Sequence, residues 1–189
     1  MTRVLFFHAF FLFVVGTGLA QKNFFSGYYL NQNGDTVNCM VNNDLFFNNK
    51  NKRVICKDEN GKRHKFKPSH ILGYGMEKGP NYNTLSSSTG KKYFAKVEQK
   101  GKLILYDYTK IVTVTQHTLQ GDFSHNVNRH KFFIQRSGEK EIKEIPQKNF
   151  KEVLLEYIKD NKQVKELLED KTLKYADIGI VIYKYNKSN

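Results

Sequence analysis

The sequence predicts an α+β fold, in which an antiparallel sheet is followed by helices. Two observations predict it: short β-rich segments separated by tight-turn signals up to about residue 145, and a change to helical periodicity after Pro146. Strands first and helices last is typical of helices packed on one face or end of an antiparallel sheet. We therefore expect a meander or small, partly closed barrel of about seven to eight strands, followed by about two to three C-terminal helices.

The predicted strand region, about 24–145, is punctuated by glycine-containing turns. Such turns occur at Asn33-Gly34, Asn60-Gly61, Lys100-Gly101 and Ser137-Gly138. Asn-Gly between two β-rich segments is a strong hairpin signal. Segment 111–115 alternates β-branched residues, so we expect a further strand there. The polar segments 76–92 and 116–130 are predicted to be two long loops.

The predicted helical region, about 147–186, begins with an apolar stripe at helical spacing, formed by Phe150, Val153, Leu154, Tyr157 and Ile158. Asp160-Asn161 interrupts this stripe, and Asn161 is suited to cap a second helix that carries Val164, Leu167 and Leu168. Ile178, Val181, Ile182 and Tyr185 indicate a third. No long linker and no internal repeat divides the sequence, so we expect residues 21–189 to form one domain.

Residues 1–20 have the layout of a secretory signal peptide. Arg3 precedes an apolar segment over 4–15, and Gly18 and Ala20 are small residues at the positions that signal peptidase requires. A membrane anchor is the alternative, but a spanning helix needs about 20 apolar residues. We expect cleavage between Ala20 and Gln21, export to the periplasm or beyond the cell, and no transmembrane segment in the mature chain.

Export makes the two cysteines a candidate disulfide, because disulfides persist in oxidising compartments. Val37, Cys39 and Val41 alternate along one predicted strand, and Val54 and Cys56 share a face of the next. A register that pairs Val41 with Val54 would place Cys39 opposite Cys56. The alternative is two small apolar side chains in the core, which is the usual state of free cysteines. Two cysteines alone do not predict a metal site.

The positive charge is concentrated in one part of the predicted sheet. The whole sequence has a formal net charge of +13, and segment 53–67 is the densest region. Its cations are Arg53, Lys57, Lys62, Arg63, Lys65 and Lys67. Such a cluster attracts anionic surfaces, and salt weakens the attraction. The alternative is a solvated strand face whose edge lysines prevent aggregation. Lysine greatly outnumbers arginine, which argues against nucleic acid as a partner.

No motif of an enzyme or a cofactor site is present. The sequence contains neither H-E-x-x-H nor G-x-S-x-G nor a P-loop. His117, His125 and His130 fall within one segment but lack Cys or carboxylate ligands at metal-binding spacing. A group of tyrosines, namely Tyr74, Tyr82, Tyr93, Tyr106 and Tyr108, lines a ligand cup in one interpretation and packs between strands in the other. We expect no enzyme activity, no cofactor and no metal.

Several short stretches resemble an uncharacterised family of secreted β-rich proteins from Gram-negative bacteria. They are Gly27-Tyr28, 33–37, 57–62, 67–75, 101–106 and the tail from Tyr175-Ala176-Asp177-Ile178 to Tyr185-Asn186. Each is a turn or strand signature, and none is a catalytic motif. The resemblance implies export and the predicted fold class, and it implies no activity.

The sequence supports three functional hypotheses. The first is an exported, non-enzymatic protein that contacts anionic lipid or glycan of the cell envelope through its basic sheet face. The second is a small-molecule or lipid carrier, whose sheet curls into a cup closed by the loops 76–92 and 116–130. The third is an exported hydrolase whose site is assembled from residues distant in sequence.

Overall fold

The structure is a computed structural model, and it describes residues 23–42, 51–87 and 89–188. Within these ranges the strands are β1 (Phe24–Leu30), β2 (Thr36–Asn42), β3 (Val54–Lys57), β4 (Arg63–Phe66), β5 (Gly73–Met76), β6 (Asn81–Ser86), β7 (Lys92–Gln99), β8 (Leu103–Thr118), β9 (Gly121–Arg136) and β10 (Lys143–Ile145). The helices are α1 (Phe150–Ile158), α2 (Lys162–Glu169) and α3 (Ile178–Lys187). Short 3₁₀ turns at Gln147–Asn149 and Tyr175–Asp177 precede α1 and α3.

The strands form one open antiparallel sheet of ten strands, in the order β10-β9-β8-β7-β6-β5-β1-β2-β3-β4. Two meanders, β1–β4 and β5–β10, are joined where β1 pairs with β5. The predicted α+β class, with a meander first and helices last, is confirmed. The glycines of the predicted hairpin turns Asn33-Gly34, Asn60-Gly61 and Ser137-Gly138 all have positive φ, as such turns require.

Both predicted loops are wrong, and the strand number is higher than expected. Segment 76–92 contains β6, whose Tyr82 and Leu85 are buried although the strand is otherwise polar. Segment 116–130 completes a hairpin in which β8 and β9 pair without interruption from Leu103↔Arg136 to Thr118↔Gly121. Cross-strand hydrogen bonds between polar side chains, such as Thr113 with Asn126 and Thr115 with Ser124, join the strands where segment 116–130 lacks apolar alternation.

Beyond the sheet this hairpin continues as a two-stranded arm, residues 108–131. Along the chain, the pairing of β8 with β7 ends at Asp107, and the pairing of β9 with β10 begins at Phe132. From these points outward, the two strands of the arm pair only with each other among the described residues. Most arm residues are therefore exposed, including Phe123 and Leu119.

The junction between the two meanders requires glycine at close backbone contacts. A Cβ at Gly27 would collide with the carbonyl oxygen of Gly75 in the neighbouring strand. A Cβ at Gly75 would collide with the Asn81 side chain and with the ring of Tyr28. The Tyr28 ring covers Gly75, and its hydroxyl donates a hydrogen bond to Asn81 Oδ1 at 3.0 Å. The absence of side chains thus lets β1, β5 and β6 lie side by side.

The helices cover one face at the β8–β10 end of the sheet. Their apolar stripes meet sheet residues in one core, which contains Leu103, Leu105, Phe132, Ile134, Ile145, Val153, Leu154, Ile158, Val164, Leu168, Ile178, Val181, Ile182 and Tyr185. The predicted stripes of all three helices are confirmed by this cluster. Asn161 caps α2 by accepting a hydrogen bond from the Val164 N–H, as its position predicts.

A second core lies where the β1–β4 meander curls over the middle of the sheet. It contains Val41, Val54, Cys56, Ile71, Tyr74, Met76, Tyr82 and Phe94. Asn51 secures this curl, because its carbonyl accepts a hydrogen bond from the Phe94 N–H and its amide donates to the Thr109 carbonyl. The basic segment that follows Asn51 is therefore held against the body of the sheet.

We expect Leu154→Ala to lower the free energy of unfolding by about 2–5 kcal/mol, because a fully buried leucine leaves a cavity. Leu155→Ala is the matched control, since Leu155 is the neighbouring residue on α1 and is 37% exposed. Its effect is expected to stay within about 0.5–1 kcal/mol. Urea denaturation followed by circular dichroism measures both, and equal losses would contradict this helix orientation.

Candidate anion-binding face

The basic segment 53–67 forms a hairpin at one edge of the sheet, hereafter the basic hairpin. β3 pairs with β4, and β4 is the last strand in the sheet order. Val54 and Cys56 are buried in the second core, so Ile55 and Lys57 point to the opposite, outer face. The residues paired with them, Lys65 and Arg63, point to the same outer face.

Three cations therefore share one face of this hairpin. Lys57 lies directly opposite Arg63, and Lys65 is the next outward-facing residue of β4. Like charges directly opposite each other in a sheet destabilise it. This pairing consequently costs the folded protein stability, and an anion bound to the outer face would offset that cost.

The remaining predicted cations flank the two strands. Arg53 precedes β3, Lys67 follows β4, and Lys62 ends the turn that connects the strands. The turn is closed by Asp58, whose N–H donates to the Lys62 carbonyl and whose Oδ1 accepts from the Lys62 N–H. Gly61 supplies the positive φ of the turn. The structure thus brings all six predicted residues into one hairpin.

The basic hairpin has almost no internal charge compensation. Among the described residues, no ion pair joins any of its six Lys and Arg side chains to a carboxylate. The Asp58 carboxylate contacts His64 Nε2 at 2.8 Å. The hydrogen bond from His64 is the main cause that lowers the pKa of Asp58, and backbone hydrogen bonds add to it. The Asp58 carboxylate therefore contacts His64 and the turn backbone, and it does not neutralise the cations of the outer face.

An apolar ring lies beneath the two central cations. Lys57 Nζ is 5.7 Å from the centroid of the Phe24 ring, and the Arg63 guanidinium carbon is 5.4 Å from it. Such cation–π contacts restrain both side chains without neutralising them. Met40 pairs with Lys57 across β2 and β3 and is 38% exposed, which adds a second apolar group. Phe24 and Met40 were not predicted as part of this face, because they belong to β1 and β2, outside the basic segment.

The two cysteines lie close together, but not in the predicted register. Val41 pairs with Cys56, so Cys39 is a diagonal neighbour of Cys56 on the same face. The predicted pairing of Val41 with Val54 is wrong by two residues. Both cysteines are thiols in this structure. A hydrogen bond between them lowers the pKa of Cys39, and the same bond together with burial raises the pKa of Cys56.

The predicted tyrosine group is divided between the two faces of the sheet. Tyr74 and Tyr82 stack at 4.6 Å between ring centroids in the second core. Tyr93, Tyr106 and Tyr108 belong to a third cluster with Leu85, Ala95 and Phe133. Because Tyr82 pairs with Lys96 and Leu85 with Tyr93, the two groups alternate to opposite faces. They therefore do not line one common cup. Burial raises the pKa of both Tyr82 and Tyr93 to about 12.

The three histidines of the arm do not converge on one site. His117 contacts Asp122 at 2.7 Å near the tip, and His130 contacts Asp107 at 2.9 Å at the root. His125 pairs with Val114 between them. Across 23–42, 51–87 and 89–188, no group of three or more His, Cys, Asp or Glu side chains is arranged to hold a metal ion. Ala20 and Gln21, the predicted cleavage site, lie outside the described residues.

Comparison with known proteins adds no family to these observations. No protein-family model, no curated protein and no solved structure matches the chain. In the described part of the chain, every helix is too short or too polar to cross a bilayer.

We expect an alkylating reagent to modify Cys39 before Cys56 in reduced, folded protein. Cys39 is the more exposed thiol, and its lowered pKa gives more of the reactive thiolate. Peptide mass mapping of a labelling time course measures the order. Cys39→Ser should remove the fast site, whereas Cys56→Ala should keep it but slow its labelling, because the hydrogen bond that lowers the pKa of Cys39 is lost.

The same labelling tests the candidate disulfide on protein recovered without reductant. If the bridge forms, neither cysteine is labelled until reductant is added. Rapid labelling of Cys39 in that sample would exclude it.

Proposed function

We propose that this protein is an exported binding protein, rather than an enzyme, that contacts anionic lipid or glycan of the cell envelope through the basic hairpin. The observation that carries the proposal is the outer face of β3 and β4. On this face Lys57, Arg63 and Lys65 lie together without an acidic partner among the described residues.

The apolar groups on this face favour a surface over a free ion as the partner. Phe24 and Met40 lie beside the central cations, so the face combines positive charge with apolar area. A lipid or lipopolysaccharide surface offers phosphates next to apolar chains, and each Lys or Arg near an anionic surface contributes about 1 kcal/mol of attraction. The flanking cations Arg53, Lys62 and Lys67 extend the charged area along the hairpin.

The signal peptide predicted for residues 1–20 determines which anionic surfaces the protein meets. An exported chain meets lipid phosphates, lipopolysaccharide and acidic glycans, whereas most nucleic acid stays in the cytoplasm. The excess of Lys over Arg agrees with a diffuse charged surface, because Lys acts as a point charge and Arg as a planar bidentate donor.

We expect the protein to co-sediment with vesicles that contain phosphatidylglycerol and not with vesicles of phosphatidylcholine alone. Binding should weaken strongly between about 0.01 M and about 1 M salt, as the Debye length falls from about 30 to about 3 Å. The triple variant Arg63→Glu, Lys65→Glu, Lys67→Glu should lose at least about tenfold in affinity.

The matched control is Lys159→Glu, Lys165→Glu, Lys171→Glu. It makes the same change in net charge on exposed residues of the helical region. This control should keep most of the vesicle binding. Equal losses in the two triple variants would mean that net charge alone drives binding, and the proposed face would be wrong. Binding that is insensitive to salt would also contradict it.

We expect protein recovered from the cell envelope or the culture medium to begin at Gln21. Cleavage after Ala20 follows from the small residues before that bond. Intact mass measurement and N-terminal sequencing test this. Ala20→Leu should slow processing, and Leu19→Val is the control next to it. Cytosolic protein that still carries Met1 would overturn the export part of the proposal.

A further inference from the structure

A cleft lies at the root of the arm, at the edge of the sheet opposite the basic hairpin. Its volume is about 610 Å³. One wall consists of consecutive residues 128–132 of β9, and the other contains Lys174 and Tyr175 from the segment before α3. Consecutive residues of a strand point to alternate faces, so a wall made from all of them is the edge of the strand.

The backbone of this edge is open where β10 ends. β10 pairs with β9 only over the residues 132–134, and Pro146 then directs the chain away into α1. The Phe132 N–H donates to the Tyr175 hydroxyl at 3.0 Å, and that hydroxyl donates to the Ile145 carbonyl at 2.9 Å. The Tyr175 hydroxyl therefore occupies the point at which β9 and β10 separate.

The direction of the Phe132 N–H shows which groups beyond this point face the cleft. Every second residue of a strand directs its N–H and C=O to the same edge. The backbone groups of His130 and Asn128 consequently point into the cleft. No strand of the described chain pairs with them, and residues 174–176 belong to the opposite wall of the cleft. Such an edge is a template for pairing with another extended chain.

The side chains around this edge give it a positive charge. Arg129, Lys131 and Lys174 line the cleft, and Glu144 is the acidic residue that faces them. Glu144 is paired with Lys131 at 2.9 Å, which leaves Arg129 and Lys174 without a carboxylate partner among the described residues. A chain that carries carboxylates would complement this charge.

His130 is held in place at the centre of the edge. Its Nδ1 is 2.9 Å from Oδ2 of the buried Asp107, and Oδ2 also accepts a hydrogen bond from the Thr109 hydroxyl. The imidazole ring stacks on Phe132, with 6.0 Å between ring centroids. These contacts restrain the root of the arm, so the open edge is supported before any partner binds.

We propose that this cleft binds an extended acidic peptide segment, which pairs with the free edge of β9 at Asn128 and His130 and continues the line of β10. Main-chain hydrogen bonds hold the peptide as an added strand, and Arg129 and Lys174 contact its carboxylates. The open edge accommodates about four to six residues at about 3.4 Å each. This inference is independent of the proposed function, because no residue of the basic hairpin lines the cleft.

The probe is a fluorescently labelled hexapeptide in which Glu alternates with Val, with binding followed by anisotropy on the full mature chain. We expect binding, and about tenfold weaker binding for the Lys174→Glu variant. The matched control is Lys171→Glu, an equal change of charge outside the cleft lining, and it should bind nearly as the parent does. A peptide that alternates Lys with Val should not bind.

Main-chain pairing is tested by changes in the peptide and by changes in the protein. The same acidic peptide with N-methyl groups on alternate amides, prepared in both alternations, should lose at least about tenfold in one alternation, because it lacks the donors that face β9. Asn128→Pro removes an N–H that faces the cleft, whereas Asn128→Ala retains it, so the first variant should bind more weakly than the second.

Three outcomes would overturn the proposal. The first is equal binding of both N-methylated peptides and the parent peptide, because no backbone pairing would then be involved. The second is full displacement of the peptide by citrate or inorganic phosphate together with insensitivity to N-methylation, which would identify a small-anion site instead. The third is an equal effect of Lys174→Glu and Lys171→Glu. The peptide comparison stays decisive even if Asn128→Pro does not fold.

Discussion

The pairing of β1 with β5 is the contact on which the rest of the molecule depends. It joins one four-stranded and one six-stranded meander into a single sheet. It requires the backbones of β1 and β5 to approach closely, which is possible because Gly27 and Gly75 lack side chains. Any larger residue at Gly75 would displace the Asn81 side chain and the Tyr28 ring together. If this junction opened, the second core, which combines Val41 of β2 with Met76 of β5, would be divided, and the basic hairpin would depend on the hydrogen bonds of Asn51 with Phe94 and Thr109 for its attachment to the β5–β10 meander.

The same junction separates two surfaces of like charge. The basic hairpin forms one edge of the sheet, and the cleft beside β9 is near the other. Both carry cations without acidic partners among the described residues, but their surroundings differ. The hairpin offers a broad outer face with Phe24 and Met40, which suits a charged surface. The cleft offers backbone donors and acceptors at a strand edge, which suits an extended chain. One positively charged protein thereby presents two chemically distinct candidate sites.

Sequence patterns predicted the helices well because each helix carries its own signal. The spacing of Val153, Leu154 and Ile158 requires a helix with one apolar stripe, and Asn161 has the side chain that caps the next. Within the arm, the alternation of β-branched residues predicted a strand over 111–115, and β8 confirms it. Segment 116–130 was missed because nearly all of its residues are exposed, so buried and exposed residues do not alternate there, and its polar cross-strand pairs resemble loop composition. The predicted cysteine register was wrong because β2 ends at Asn42 and β3 begins at Val54, a separation in sequence too long to determine the pairing, and a shift of two residues keeps the same face inward.

The sequence by itself determined the class of the fold, the positions of the glycine turns, the helical stripes and the concentration of charge in residues 53–67. All of these are local properties, set by neighbours a few residues apart along the chain. Only the tertiary structure decided that Lys57 and Arg63 lie over Phe24, that the tyrosines divide between two faces, and that the edge of β9 stays open beside Lys174. Those contacts join residues tens of positions apart, and their geometry depends on sheet order and curvature, which a one-dimensional pattern does not encode.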